Sequence, residues 1–188
     1  MSQKQEKQNI RKRFSAKRLA IMAVFVALSY VVSFLEIPIV EPFKLDFGNV
    51  FILLIAFLFG PVEGIVVCVL KESLRMIGGT VVGELANMVI TTSFLLIPSV
   101  LYRYKKGLKG VIVSLCIACL VATGMALLMN RFVNFPLYEE FLGMPAEQAF
   151  QQLFWVIVLF NLIKTVSVSV MTLLLYKRLS NFLKRWEQ

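Results

Sequence analysis

The chain has 188 residues, of which 59% are hydrophobic, with a formal net charge of +9 and no histidine. Its mean hydropathy is +0.79. That composition excludes an ordinary soluble globular domain and places the chain in the membrane class. The missing histidine removes imidazole metal sites and histidine-based catalytic triads.

A helix that crosses a bilayer needs about 20 mostly apolar residues. Six segments approach this: 18–35, 47–60, 62–78, 83–102, 109–133 and 152–177. The expected fold is therefore all-α, a bundle of six membrane helices spanning 16–180. A basic tail precedes it at 1–15, and a short tail follows at 181–188. Gly60-Pro61 interrupts the second and third segments, so this pair reads either as two helices or as one broken element.

The basic residues are clustered. Of twenty, seven precede the first segment (Lys4, Lys7, Arg11, Lys12, Arg13, Lys17 and Arg18). Four lie between the fourth and fifth (Arg103, Lys105, Lys106 and Lys109), and four close the chain (Lys177, Arg178, Lys184 and Arg185). With six alternating crossings these fall on one side. Glu36, Glu41, Asp46, Glu84, Glu139, Glu140 and Glu147 fall on the other. The positive-inside rule then puts both termini in the cytoplasm, at the cell membrane. It also explains the positive charge without a nucleic-acid partner.

In the first segment Ala16, Ala20, Ala23 and Ala27 recur at spacings of four, three and four, which makes one small-residue face. Such a face permits close helix approach in lipid. Packing within the chain and docking on a partner membrane protein are both open readings. The connection Glu36-Ile-Pro-Ile-Val-Glu-Pro-Phe-Lys-Leu-Asp-Phe-Gly is kept extended by Pro38 and Pro42, and its alternating apolar and polar side chains suit it to cover an opening. Asp46 is placed to cap the second segment.

Polar residues at membrane depth require a partner or a purpose. The third segment carries Lys71, Glu72 and Arg75, positioned for ion pairing inside the bundle or for snorkelling toward the headgroups. Glu84, Asn87 and Thr91 share a face of the fourth segment. Asn130 ends the fifth, ahead of Asn134-Phe-Pro-Leu-Tyr138. Asn161 and Lys164 lie three apart in the sixth. Lys164 stands out, because a lysine at mid-membrane costs about 2.5–3.5 kcal/mol even on insertion scales. Either an ion pair with a glutamate such as Glu84 or a polar ligand offsets that cost. Asn87, Asn130, Asn161 and Lys164 come from separate segments yet share one depth, which points to a cavity closable by the first, third and fifth loops.

The remaining chemistry is sparse. Cys68, Cys116 and Cys119 lie in apolar segments, and a single Cys-x-x-Cys with no second pair reads as packing rather than a metal site. No nucleotide-binding or hydrolase motif is present. A membrane-embedded enzyme using Glu72, Glu84 or Lys164 lacks paired carboxylates at catalytic spacing. An assembly factor without ligand leaves the four polar groups unexplained.

The runs Lys44-Leu-Asp-Phe-Gly-Asn-Val and Phe59-Gly-Pro-Val-Glu-Gly-Ile resemble the S components of energy-coupling factor (ECF) vitamin transporters, nearest their riboflavin-specific branch. So do Val69-Leu-Lys-Glu, Gly83-Glu-Leu-Ala-Asn87, Asn130-Arg-Phe-Val-Asn-Phe-Pro-Leu-Tyr138, Phe160-Asn-Leu-Ile-Lys164 and Leu175-Tyr-Lys-Arg-Leu179. Gly48-Asn49 stands where that branch carries Ser-Asp, and Glu72 where it carries asparagine.

The resemblance implies a binding subunit without enzymatic activity or resident cofactor. It would capture riboflavin, or another vitamin of the folate, pantothenate or pyridoxine type, and dock on a transmembrane coupling subunit with two cytoplasmic ATPases. It implies a ligand site of Leu45, Glu84, Asn87, Asn130, Asn161 and Lys164. It also implies a docking face of Ala16, Ala20, Ala23 and Ala27.

Overall fold

A computed structural model describes residues 15–40, 43–78, 80–104 and 108–187, with the backbone alone over 177–187. The basic tail through residue 14, Glu41 and Pro42 of the first loop, and Lys105 and Lys106 lie outside the described residues. Helix α1 is Ala16–Val32, and strands β1 (Ile37–Val40) and β2 (Phe43–Leu45) follow it. Helices α2 (Asn49–Leu58), α3 (Pro61–Gly78), α4 (Val81–Tyr104) and α5 (Leu108–Met129) come next. A π-helical turn, Asn130–Asn134, runs into the short helices α6 (Phe135–Leu137) and α7 (Glu139–Leu142), and the long α8 (Ala146–Glu187) ends the chain.

Among the described residues, three stretches are long and apolar enough to cross a membrane by length and composition: Val81–Tyr102, Lys109–Leu137 and Ala146–Tyr176. Lipid is as apolar as leucine, so these helices leave large side chains on their outer faces. Trp155, Leu159, Leu174, Leu120 and Val113 are all exposed.

Segments two and three are separate helices. The break falls where a backbone reason exists: Gly60 has φ of 126°, a conformation reserved for glycine, and Pro61 opens α3 at a position where its missing N–H costs nothing. Helix α2 is only ten residues, about 15 Å at 1.5 Å per residue. It is apolar all round and buried from Val50 to Phe57 except at half-buried Phe51. That pattern makes it the central post of the bundle. Gly64 of α3 lets the two meet: a Cβ there would stand 2.6 Å from the Ala56 Cβ.

Because α2 is half the length of a span, the chain re-enters the bundle below its rim. The first loop, expected to be extended, forms an antiparallel hairpin pairing Ile37 with Leu45, Pro38 with Lys44 and Val40 with Phe43. The hairpin leads down to Asp46. The Ser29 hydroxyl of α1 donates to Gly48 O at 2.8 Å, and Asn49 Nδ2 donates to Thr91 Oγ1 of α4 at 3.1 Å. These bonds hold the head of α2 at depth. Gly48 permits the contact, since a Cβ there would lie 2.5 Å from Ser29 O.

Helix α1 packs Met22, Phe25, Val26 and Ser29 inward. Ala16, Ala20, Ala23 and Ala27 lie on the opposite face and are exposed. The alanine face is thus unused by packing among the described residues. At the far end from the hairpin, Arg18 donates to Phe59 O at 3.1 Å and stacks over the Phe59 ring, tying α1 to the α2–α3 junction. The final helix runs through residue 187 with no break near 180. Cys68 and Cys119 are buried as packing residues, whereas Cys116 is exposed and does not pack into the core.

Candidate ligand site

A cavity of about 780 Å³ opens beneath the hairpin. Asn87, Asn130, Asn161, Lys164 and Glu84 all line it. Leu45 does not: it ends β2 and is buried, although Lys44 and Asp46 on either side of it both line the cavity. All three expected loops contribute to the rim. Glu36, Phe43, Lys44 and Asp46 come from the first loop, Gly78, Thr80 and Gly83 from the third, and Tyr138, Phe141 and Leu142 from the fifth.

Lys164 is 8% exposed. Its Nζ lies 3.1 Å from Asp46 Oδ2 and 3.5 Å from Asn87 Oδ1. Its counter-ion is therefore Asp46, not Glu84. Asp46 is also 4.0 Å from the Lys71 ammonium, and its Oδ1 accepts the Gly48 N–H at 3.1 Å. It does not cap α2, whose N-cap is Gly48 and has no side-chain cap bond. Lys71, 1% exposed, pairs with Glu72, 0% exposed, at 2.9 Å. Two lysines from α3 and α8 thus converge on one carboxylate at the foot of the hairpin. Burial raises the Asp46 pKa, but the Lys164 and Lys71 charges, with the hydrogen bonds, outweigh it and hold the carboxyl below its usual range.

Glu84 serves a second group. Its Oε1 accepts from Arg75 Nε at 3.2 Å and its Oε2 from Asn87 Nδ2 at 3.3 Å. Arg75 also donates to Ser33 O at 3.3 Å and to Glu36, and Glu36 pairs with Lys44 at 3.2 Å. Burial tends to raise the Glu36 pKa, but the Arg75 and Lys44 hydrogen bonds and charges bring it below the ordinary value. The polar wall is therefore one chain of contacts running Glu36–Arg75–Glu84–Asn87–Lys164–Asp46. Both feet of the hairpin are fastened to it.

The other wall carries neutral amides and rings. Asn161 Nδ2 donates to Ile157 O at 2.9 Å and Asn130 Nδ2 to Ala126 O at 2.8 Å, each four residues back on its own helix. Each amide is locked in place with a second N–H left to offer. Phe43 of the hairpin meets Phe160 of α8 with ring centroids 5.1 Å apart. Ala86, Ile90 and Phe135 complete the apolar surface.

Sequence spacing located the four polar groups but missed their partners. Asp46 and Lys164 are distant in sequence, and only the depth imposed by a half-length α2 brings them together. Asn134 and Phe43 also line the cavity. Asn134 was visible in the sequence as a second amide one turn after Asn130; Phe43 carried no comparable signal.

This arrangement is a partly open cavity whose lining charges are mutually paired. A family model described as ECF transporter, substrate-specific component matches residues 17–176. The chain belongs to that family, and it is a membrane transport component rather than an enzyme. It is 38% identical over 176 residues to the riboflavin transporter RibU of Staphylococcus aureus (strain TCH60), covering 90% of this chain and 93% of that protein. It is 27% identical over 180 residues to the riboflavin transporter FmnP of Bacillus subtilis (strain 168), covering 90% and 95%. A solved structure described as the S component of a bacterial ECF transporter superposes with a TM-score of 0.77 at 37% identity, covering 89% of this chain and 98% of that one.

The ion pair sets a pH expectation. A carboxyl whose folded pKa is depressed contributes stability that is complete above its unfolded pKa, about 3.9, and is lost as pH falls through the folded value. Asp46→Asn should lower the melting temperature of the ligand-free protein at neutral pH, by the equivalent of up to about 3–5 kcal/mol for a broken buried pair. Asp46→Asn combined with Lys164→Met should recover part of that loss. Melting curves recorded down to about pH 3 should fall less steeply for the double variant than for the native chain; equal slopes would remove Asp46 from the acid response.

Proposed function

We propose that the cavity binds riboflavin, and that the chain is the capturing subunit of an ECF importer with six membrane-crossing segments and both termini cytoplasmic. The observation that carries the reading is the convergence of Asn87, Asn130, Asn161 and Lys164 on one cavity with aromatic walls. Riboflavin pairs a flat tricyclic ring, bearing carbonyls and an imide, with a polyhydroxyl chain. Ligand sites of this size, apolar with a few placed polar groups, bury most of a small ligand. Phe43, Phe160 and Ile90 supply surface for the ring. The free N–H groups of Asn130 and Asn161, and the ammonium of Lys164, supply donors for its carbonyls and nitrogens. Glu84 supplies an acceptor for a hydroxyl. Leu45 acts from behind, as the apolar backing that seats the hairpin. The two relatives named as riboflavin transporters support the choice of ligand.

The energy for uptake comes from partners: a transmembrane coupling subunit and two ATPases. The exposed Ala16, Ala20, Ala23 and Ala27 form the docking face for the coupling subunit. Small side chains let a partner helix come close, where dispersion and Cα–H contacts act without a large entropy loss. Capture begins at the hairpin end, which faces outside.

Riboflavin fluorescence should be quenched on titration with the purified full chain. Asn161→Ala should weaken binding about 2- to 12-fold, the value of a neutral hydrogen bond, and Lys164→Ala about 10- to 150-fold, that of a charge-assisted one. A native protein that leaves riboflavin fluorescence unchanged would sink the ligand assignment.

Ala23→Trp should abolish uptake in cells while leaving riboflavin affinity unchanged. Uptake at the native level would show that the alanine face does not dock.

For topology, Cys68, Cys116 and Cys119 are first replaced. An impermeant maleimide should then label Glu140→Cys on intact cells, and Lys109→Cys only after permeabilisation. The reverse pattern would invert the chain in the membrane.

A further inference from the structure

We infer that Asn134 is a positioning residue for Asn130, installed by the π-helical turn at the end of α5. The inference rests on the riboflavin reading and adds a residue to which that reading gives no role. Asn130 is 5% exposed, and its carboxamide is held at both ends. Its Nδ2 donates to Ala126 O at 2.8 Å, and its Oδ1 accepts from Asn134 Nδ2 at 3.1 Å. Asn161, the matching amide on α8, has only the first of these tethers among the described residues. The second tether fixes the direction of the remaining Asn130 N–H and withdraws one lone pair of Oδ1 from the ligand. It leaves Asn130 one N–H and one lone pair of Oδ1, both in fixed directions, and the N–H suits a ligand carbonyl or ring nitrogen.

The arrangement carries a local penalty. Asn134 Oδ1 is buried without a hydrogen-bond partner among the described residues. Orphaned acceptors of this kind are uncommon in folded proteins and call for a cause. The backbone is also irregular at this point: residues 130–134 form a π turn between α5 and α6, a feature frequent at functional sites. Simple packing accounts for neither, because an apolar side chain at 134 would remove the orphan. Orientation of Asn130 accounts for both, since local rules are broken where a site requires it.

The two roles separate by sign. If Asn134 orients Asn130, Asn134→Leu should leave the ligand-free melting temperature unchanged or raise it, yet weaken riboflavin binding about 2- to 12-fold in a quenching titration. Asn134→Ala, which cannot overpack the turn, should show the same loss of affinity. In an Asn130→Ala background the Asn134 substitutions should cost nothing further, because the group they orient is gone. Native affinity in both Asn134 variants, or an undiminished loss in the Asn130→Ala background, would overturn the inference. Absence of riboflavin binding by the native chain would instead overturn the function proposed above, so the two failures are told apart by the native control.

Discussion

The buried pair between Lys164 and Asp46 constrains the rest of this structure. An ammonium on a long apolar helix demands a carboxylate at its own depth. The carboxylate that meets it comes not from a neighbouring helix but from the foot of a surface hairpin. For Asp46 to reach that level, the chain must descend into the bundle, and the following helix must be short. The ten residues of α2, the Ser29–Gly48 and Asn49–Thr91 bonds and the absence of a side chain at Gly48 are what make the descent possible. Non-helical backbone is tolerated at this depth where it lines a cavity.

From that pair the polar wall extends through Asn87 and Glu84 to Arg75 and Glu36, so the hairpin is fastened at both feet. The same groups line the cavity. The bonds that seat the hairpin and the polar lining of the cavity are therefore one set of contacts. Lys71 and Glu72, fully buried behind Asp46, bring the cluster close to electrical neutrality. With these charges paired, the described lining offers the cavity hydrogen-bonding groups and rings.

The two faces of α1 divide labour in a similar way. One face, Met22, Phe25, Val26 and Ser29, belongs to the bundle. The other, four alanines, is left bare. In water bare alanine has little significance, but in lipid it marks a surface on which another helix can lie at short range. The cavity and the alanine face share one helix, anchored at its far end by Arg18 and at its hairpin end by Ser29 and Ser33.

Much was legible in the sequence, because membrane composition leaves few polar residues and each one carries information. The apolar runs marked the helices, Gly60-Pro61 marked their break, and four cavity-lining polar residues were recognisable as polar groups at one depth. The spacing of Ala16 to Ala27 defined a face, though not the direction in which it points. Only the tertiary structure decided that direction, the choice of Asp46 over Glu84 as partner to Lys164, the hairpin in place of an extended strap, and the tether from Asn134 to Asn130. The physical reason is the same in each case. Periodicity and hydropathy are local along one helix, whereas partners are chosen by depth and rotation between helices, and those follow from how a short central α2 lets the others close around it.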